Sequence, residues 1–177
     1  MPDFQKGQNM SKIILASKSP RRIELLKMCN INFNSLVADI DEDLIKSDTL
    51  ATFKEENTFE QAEILTKKLA HEKALYIYKE NPDHLVIGSD TLVVTDKSIL
   101  GKPKDPQDAY IMLRELSGQV HRVYTGVSII GPGYEDTFVS IAQVKFYDFD
   151  PAMDQIIIDY IASGSPMDKA GGYGIQD

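Results

Sequence analysis

The stretch over residues 12–22, KIILASKSPRR, constrains the fold more than any other part of the sequence. Its apolar run at residues 13–15 predicts a short buried strand. A polar turn follows, and Pro20 then takes the first position of a helix for which Ser19 is the N-cap residue. The sequence therefore predicts a strand that leads through a tight turn into a helix.

Two cations fall in the first turn of this helix, Arg21 and Arg22. Cations are unfavourable there, because the helix N-terminus already carries partial positive charge, and the cost is about 1 kcal/mol or less for solvated side chains. A bound phosphate would make the position favourable, since the helix N–H groups and both guanidinium groups can bind it. Two exposed arginines on a surface helix explain this stretch equally well.

The composition excludes several classes of protein. The chain has 177 residues and a formal net charge of −8, so broad nucleic-acid binding is disfavoured and any phosphate recognition has to be local. No apolar run reaches the length of a membrane span, and the start of the chain lacks the apolar segment of a secretory signal. We expect a flexible tail at residues 1–11 and one domain over residues 12–177. The single cysteine, Cys29, is expected to fill the core, and its lack of a disulfide partner fits a cytoplasmic protein.

The apolar patterns predict an alternation of helices and strands. Helices are expected after Pro20, over residues 58–79, over residues 106–116 and after Pro151. Strands are expected at residues 13–15, 31–38, 85–88 with an extended continuation over 92–95, 99–100, 120–130 and 136–147. Irregular loops are expected at residues 46–58, after residue 131 and over 163–177. This order predicts a single α/β domain with a mixed sheet.

Asp90 is the strongest single candidate for chemistry. It follows the buried run at residues 85–88, which places it at the carboxyl end of a strand, where ligands bind in open α/β sheets. A half-buried carboxylate at this point can act as a base or as a metal ligand. Glu42, in the acidic run at residues 39–43, could supply a second hard oxygen ligand for magnesium. The alternatives are a turn aspartate and a solvated acidic loop, and for such an acidic run the loop is the more common outcome.

Lysines and the end of the chain give weaker signals. Lys102 lies between a glycine and a proline, which restrict the backbone around a cation that suits phosphate oxygens. Lys73, in contrast, is expected to be exposed on the long helix. The segment at residues 168–176 has three glycines in four residues, and such backbone can approach a ligand closely. A flexible terminus explains these glycines equally well.

These residue types together suit one kind of reaction. The candidate site combines cations for a polyphosphate with two carboxylates for a metal and a water, which is the composition expected for hydrolysis of a phosphoanhydride. The spacing of the histidines does not suggest a metal site. Covalent catalysis has no support, because the chain has one cysteine and no Ser–His–acid pattern.

Eight motifs occur in an order that resembles the Maf family of nucleoside triphosphate pyrophosphatases: LASKSPRRIELL, DIDE, HEKA, VIGSDTLVV, LGKP, DAYIMLRELSG, HRVYTGV and SPMDKAGGYGIQ. The resemblance covers residues 12–176. It implies an elongated α/β fold with a deep cleft and, often, a homodimer. It also implies hydrolysis of a nucleoside triphosphate to the monophosphate and pyrophosphate with a divalent cation, magnesium or manganese.

The resemblance further implies roles for individual residues. Asp90 matches the proton acceptor for the attacking water, and Glu42 matches an acidic residue that we assign, with Asp90, to the metal. The polar and cationic residues around the triphosphate are matched by Ser17, Arg21, Arg22, Lys73 and Lys102. The positions linked to substrate choice are matched by Arg21, Thr91 and Gln176. Thr91 and the DKAGGYGIQ segment resemble the branch of the family that acts on dTTP and UTP.

The end of the sequence departs from the pattern of the family. Family members continue past GIQ with a glycine, a strand and a closing helix, whereas this sequence stops at Asp177. We expect the absent strand to leave a sheet edge unpaired and Gln176 on a frayed end. The alternative to an active enzyme is therefore a catalytically impaired, nucleotide-binding regulatory protein linked to cell division arrest, an association that the resemblance also implies.

Overall fold

The computed structural model describes residues 13–175 of the chain. This part contains five α-helices: α1 (Pro20–Met28), α2 (Glu42–Thr52), α3 (Thr58–Glu80), α4 (Pro106–Leu116) and α5 (Pro151–Ala162). It contains six strands: β1 (Ile13–Ala16), β2 (Phe33–Leu36), β3 (Leu85–Val94), β4 (Ile99–Leu100), β5 (Val120–Gly131) and β6 (Tyr134–Lys145). The predicted flexible tail at residues 1–11 and the predicted site residue Gln176 lie outside the described residues. Between residues 13 and 175, no helix has the length and apolar character needed to cross a membrane.

The strands form one mixed sheet in the order β2-β1-β3-β5-β6, and β4 pairs with the end of β3. β1 runs parallel to β2 and β3, whereas β3, β5 and β6 pair antiparallel along the sheet. The long helix α3 lies across β3 and β5 and covers this part of the sheet. The mixed sheet and its helices confirm the predicted α/β fold.

β3 is longer than the sequence predicts. The expected end of the strand at residue 88 is wrong, because β5 pairs with β3 without interruption from Val86 to Val94 and keeps it extended. Asp90 therefore lies in the middle of a strand and not after one. The parallel partner β1, however, stops pairing at Ile87. Asp90 thus still lies just beyond the carboxyl end of a parallel strand, the position expected for a ligand-binding residue.

α2 replaces most of the loop predicted over residues 46–58. Asp41 is its N-cap residue and accepts a hydrogen bond from the Leu44 N–H at 2.9 Å. Glu42 and Asp43 occupy the first turn, where negative charge is favourable. The acidic run that suggested a solvated loop is therefore the start signal of a helix, and it places Glu42 at a fixed position.

α1 has no buried residue, although Cys29 at its end is predicted to fill the core. Leu25 is 59% exposed, and Cys29, at the helix end, is also exposed. The prediction that Cys29 fills the core is therefore wrong. The apolar side of α1 lines a cleft and does not pack on the sheet, which is why its leucines remain accessible to solvent.

α3 packs unusually close to the sheet because glycines lie beneath it. A Cβ atom at Gly88 would lie 2.2 Å from the carbonyl oxygen of Ala70, and one at Gly126 would lie 2.4 Å from that of Thr66. Both distances are far shorter than any van der Waals contact. The apolar residues that recur at helical spacing along α3 are buried: Ala62, Leu65, Leu69, Ala74 and Ile77.

The two predicted glycine-containing loops are more ordered than the sequence suggests. Gly131 pairs with Tyr134, so Pro132 and Gly133 form a two-residue hairpin turn between β5 and β6, not a longer loop. After α5, the chain makes two short 3₁₀ turns, at Ser165–Asp168 and Ala170–Gly172. The glycines of the second turn are buried against the domain, which holds the end of the described chain beside the cleft.

Candidate active site

A cleft of about 1690 Å³ is lined by α1, the middle of β3, β4 and the end of the described chain. Its walls include eight of the residues predicted from the sequence: Ser17, Arg21, Arg22, Glu42, Lys73, Asp90, Thr91 and Lys102. The fold therefore brings together side chains from five separate parts of the sequence. It also confirms the cleft that the family resemblance implies.

A buried ion-pair cluster lies in this cleft. Lys73 donates to Asp90 Oδ1 at 2.6 Å, and its Nζ lies 3.0 Å from Glu42 Oε1. Lys73 and Asp90 are 9% and 8% exposed, whereas the Glu42 side chain is half exposed. One ammonium group thus connects α3, β3 and α2, and it fixes the orientation of the Asp90 carboxylate.

The prediction that Lys73 is exposed is wrong. The close approach of α3 at Gly88 leaves Ala70 and Ala74 in contact with the sheet, and Lys73 lies on the same side of the helix. Gly88, two positions before Asp90 on β3, therefore determines where the Lys73 side chain leaves the helix. Helical periodicity alone predicts that a lysine is exposed to solvent. It does not show which lysine can contact a buried carboxylate.

Arg22 reaches from the first turn of α1 across β3. Its guanidinium group donates to the carbonyl oxygen of Ser89 at 2.8 Å, to Thr91 Oγ1 at 3.0 Å and to Ser17 Oγ at 3.3 Å. Burial lowers the pKa of Arg22 from its usual value, the negative charge of Asp90 opposes this shift, and the neighbouring charge of Arg21 adds to it. Arg22 therefore joins the strand and the helix N-terminus while it adds positive charge to the cleft.

The bonds of Arg22 decide how two hydroxyl groups are oriented. Ser17 Oγ accepts from Arg22 and from the Ser19 N–H at 3.2 Å, so its own proton is left to donate elsewhere. Thr91 Oγ1 also accepts from Arg22, and it lies 3.3 Å from Thr125 Oγ1. Ser17 and the Thr91–Thr125 pair each leave one hydroxyl proton to donate into the cleft, which suits a ligand rich in oxygen acceptors.

Two predicted cations remain free to move. Arg21 Nη1 lies 3.8 Å from Asp168 Oδ1, and the two side chains are 39% and 56% exposed, so this pair contributes little to stability. Lys102 is exposed and makes no hydrogen bond or ion pair with any of the residues from 13 to 175. Unlike Arg22, both can turn toward an anion without breaking a buried contact.

The carboxylates of Glu42 and Asp90 lie close together, because both contact the Lys73 ammonium group. In the described part of the chain, no group of three or more histidine, cysteine, aspartate or glutamate residues could enclose a metal ion. Two hard oxygen donors fit a magnesium or manganese ion that takes its other ligands from water and from phosphate oxygens. They do not fit a site built from protein ligands alone.

Sequence reasoning missed two residues of the cleft. Lys169 is 6% exposed, and its Nζ donates to the Ser165 carbonyl oxygen at 2.6 Å. Thr125 lies opposite Thr91 in the antiparallel register of β3 and β5. The pairing of the two strands could have found Thr125, because the VIGSDT and HRVYTGV motifs each carry a threonine at this point. Nothing in the sequence signals that Lys169 is buried.

A second buried polar pair joins Tyr173, which lines the cleft, to His121 of β5. His121 Nε2 lies 2.6 Å from the hydroxyl of Tyr173, and the His121 side chain is 1% exposed. Its Nδ1 atom is buried without a hydrogen-bond partner among the described residues. Burial lowers the pKa of His121, although a backbone contact with Gln119 opposes the shift, and burial raises the pKa of Tyr173 to about 12. The pair is therefore a neutral imidazole and a protonated phenol.

The lowered pKa of His121 predicts a stability that depends on pH. The unfolded chain binds a proton below its usual pKa of about 6.5, whereas the folded chain resists that proton, so stability falls as the pH drops below this value. The loss is at most about 1.4 kcal/mol per pH unit and stops below the folded pKa. Urea unfolding of the wild type and His121→Gln across this range measures it. An equal pH dependence in both proteins would contradict the assignment to His121.

The cleft of this α/β domain combines a lysine–carboxylate cluster with arginines at a helix N-terminus, an arrangement that suits a phosphate-containing ligand. The sequence profile of the Maf family, described as Maf-like protein, matches residues 12–177. The chain therefore belongs to the Maf family.

Individual relatives are similar over most of the chain. A dTTP/UTP pyrophosphatase of Geobacillus sp. is 45% identical over 167 residues, which are 94% of this chain and 82% of the relative. Proteins of the same name from Bacillus cereus and Aquifex aeolicus are 40% and 41% identical, over 97% and 93% of this chain and 77% and 78% of their own lengths.

Proposed function

We propose that this protein hydrolyses nucleoside triphosphates, with dTTP and UTP as preferred substrates, to the nucleoside monophosphate and pyrophosphate. The observation that carries the proposal is the buried contact between Asp90 and Lys73 inside a cleft that also holds Arg22. The name shared by the relatives, dTTP/UTP pyrophosphatase, supports the same reaction and the same substrates.

Asp90 is the proton acceptor in this proposal. Its carboxylate takes a proton from a water molecule as the water oxygen bonds to phosphorus and the anhydride bond to the leaving pyrophosphate breaks. Lys73 holds this carboxylate in a single orientation, at 2.6 Å, and can donate to a phosphate oxygen as well. Preorganisation of this kind lowers the cost of reaching the transition state, because the base does not have to find its position during the reaction.

The cations and hydroxyl groups around Asp90 bind the triphosphate. Arg21 and Lys102 can turn toward the phosphate chain, and the free proton of Ser17 can donate to a phosphate oxygen. Arg22 contributes positive charge while it holds Ser17 and Thr91 in place. Neutralisation of the charge that develops on the leaving pyrophosphate is the main electrostatic task of this group.

Glu42 and Asp90 hold a divalent cation, magnesium or manganese, in this proposal. Such a cation, when bound, polarises the phosphoryl oxygens and lowers the pKa of a coordinated water. The convergence of both carboxylates on one ammonium group supports the assignment, since they already contact a single positive charge. The N-cap residue of α2, Asp41, fixes the first turn in which Glu42 lies, and this fixed position supports the proposed role.

The choice of substrate is assigned to Arg21, Thr91 and Gln176. Thr91 and Thr125 share one hydroxyl–hydroxyl hydrogen bond, so one of their two hydroxyl protons is left to donate to a ligand in the cleft. A donor at this point suits a base with carbonyl oxygens, such as uracil or thymine, better than one with an amino group. Gln176 lies outside the described residues, and its role rests on the family resemblance.

The test is a panel of nucleotides with magnesium, followed by chromatography of the products. We expect UTP and dTTP to give the monophosphate and pyrophosphate, while ATP is turned over at least about tenfold more slowly, a difference of about 1.4 kcal/mol. Release of single phosphate would contradict the reaction. Binding of UTP under saturating magnesium without any product would contradict the enzyme and favour the regulatory protein.

We propose further that the partner is a nucleotide and not a nucleic acid, since the net charge is −8. A cytoplasmic location is supported by the single cysteine, which is exposed and free. A homodimer is proposed on the family resemblance alone, and size-exclusion chromatography with light scattering measures it directly.

A further inference from the structure

A side-chain hydrogen bond between Tyr173 and His121 connects the end of the described chain to strand β5 of the sheet. Phe146, at the end of β6, completes a cluster of three rings that contact each other edge to face, with centroids 4.7–5.5 Å apart. The imidazole is almost fully buried, so its bond to Tyr173 is shielded from competing water.

Tyr173 belongs to residues 168–175, which we call the C-terminal cleft segment. The segment is attached to the domain at two earlier points: the Lys169 ammonium group donates to Ser165, and the Gly171 N–H donates to the carbonyl oxygen of Gly101 at 2.9 Å. Among the described residues, the bond of Tyr173 to His121 is the last polar attachment along this segment.

The backbone on both sides of Tyr173 is rich in glycine. Gly171 and Gly172, before Tyr173, are buried and packed against Val93 and Pro103, whereas Gly174, after it, is only half-buried and has no side chain to restrain it. Tyr173, Gly174 and Ile175 nevertheless line the cleft. The buried glycines fix the start of this wall, and the bond of Tyr173 to His121 restrains the part that follows, where each unrestrained residue would cost about 1–2 kcal/mol to order on binding.

We propose that His121 and Tyr173 are positioning residues for the nucleotide, since their hydrogen bond holds the C-terminal cleft segment in its binding conformation. The inference rests on the proposed function for the identity of the ligand. His121 acts through Tyr173, and neither residue takes part in the chemical step.

The position of the pair predicts how the kinetics respond. His121 lies five residues before Gly126 on β5, and Gly126 is paired with Asp90, so the two sites are about 17 Å apart along the strand. Loss of the hydrogen bond should therefore weaken nucleotide binding and leave the base and its lysine in place. We expect KM to rise while kcat changes little.

Four variants separate this bond from other effects. Tyr173→Phe removes the hydroxyl group and keeps the ring. His121→Gln places an amide near the position of Nε2, whereas the shorter side chain of His121→Asn reaches only the position of Nδ1. Tyr147→Phe is the matched control, because Tyr147 is 84% exposed and lies outside the cleft.

Two readouts decide the result. Titration with α,β-imido-UTP and magnesium, with KM and kcat for UTP, should show binding weakened by about fivefold in Tyr173→Phe and His121→Asn, the effect of one lost hydrogen bond. Hydrogen exchange at the amides of residues 171–174 should be about tenfold faster in the same two variants. His121→Gln and Tyr147→Phe should behave like the wild type in both measurements.

Normal binding and exchange in Tyr173→Phe would overturn the inference, as would a His121→Gln variant impaired as strongly as His121→Asn. A fall in kcat at unchanged KM would overturn it as well, because it would place the pair in the chemical step. If the wild type turns over no nucleotide, the proposed function fails, and hydrogen exchange alone still tests whether the bond holds the segment.

Discussion

Replacement of Asp90 by asparagine should lower kcat for UTP by about 10²–10⁴-fold, the usual contribution of a positioned base. The amide is nearly isosteric with the carboxylate, and its oxygen can still accept the hydrogen bond that Lys73 donates at 2.6 Å. It cannot take a proton from water, and it is a weaker ligand for magnesium. Product chromatography at saturating UTP and magnesium measures the loss.

The fold should survive this replacement. Removal of one partner from a buried ion pair is usually costly, because it leaves the other charge without compensation. Lys73, however, keeps Glu42 at 3.0 Å, so we expect a stability loss of only about 1 kcal/mol in urea unfolding.

Asp136→Asn is the matched control for Asp90→Asn, since it makes the same chemical change at an exposed position of β6. It should leave kcat and stability unchanged. Full activity in Asp90→Asn would contradict the assignment of the base, and an unfolded Asp90→Asn would show that Glu42 does not compensate for the lost charge.

The sequence predicted the elements whose signals are local. α4 was predicted within its observed bounds because Asp105 and Pro106 mark its start and an apolar period of 3.6 continues to Leu116. The apolar helical periodicity that predicts α3 over residues 58–79 was equally clear. The unit of β1, turn and α1 also followed from the sequence, since Ser19 and Pro20 fix where the helix begins.

The errors arise where tertiary contacts override a local signal. Pairing with β5 carries β3 past Gly88, and no feature of residues 85–94 alone indicates how long that partner is. α1 has an apolar period without a buried face, because the periodicity of a helix does not distinguish a core from a cleft. The start of α2 was an error with a local cause, since an acidic first turn was interpreted as a loop.

The same distinction between local sequence signals and tertiary contacts applies to the candidate site. Asp90 could be found from its place after an apolar run. The physical reason for its position is different, however: it lies just beyond the point where the parallel strand β1 stops pairing with β3. Lys73 could be assigned only through the resemblance to a family, because its burial depends on glycines in another element. The pair of His121 and Tyr173 lies 52 residues apart in the sequence, and only the fold brings the two side chains together.

Replacement of Gly88 by alanine should be among the most destabilising single changes in this protein. The added Cβ would lie 2.2 Å from the carbonyl oxygen of Ala70 and 2.7 Å from the backbone nitrogen of Ala74, and neither atom belongs to a flexible side chain. α3 must therefore move away from β3 as a whole. Overpacking of a core costs about 1–3 kcal/mol, and we expect about 3 kcal/mol or more here because helix backbone has to shift.

The same shift should reduce activity in the molecules that remain folded. Lys73 lies between the two alanines that Gly88 contacts, so a displaced α3 carries its ammonium group away from Asp90. A misplacement of about 1 Å in such a constellation can cost about 10²-fold in rate. Urea unfolding and kcat per folded molecule, scaled by the near-UV circular dichroism signal, measure the two effects separately.

Gly101→Ala is the control for Gly88→Ala, because a Cβ atom there would meet nothing within 4 Å and its stability should not change. Alanine otherwise favours a strand over glycine by about 0.5–1 kcal/mol, so the sign of the effect at Gly88 depends entirely on the clash with α3. A Gly88→Ala protein that is as stable and as active as the wild type would therefore show that α3 does not approach the sheet this closely. The geometric origin of the Lys73–Asp90 contact would then be wrong.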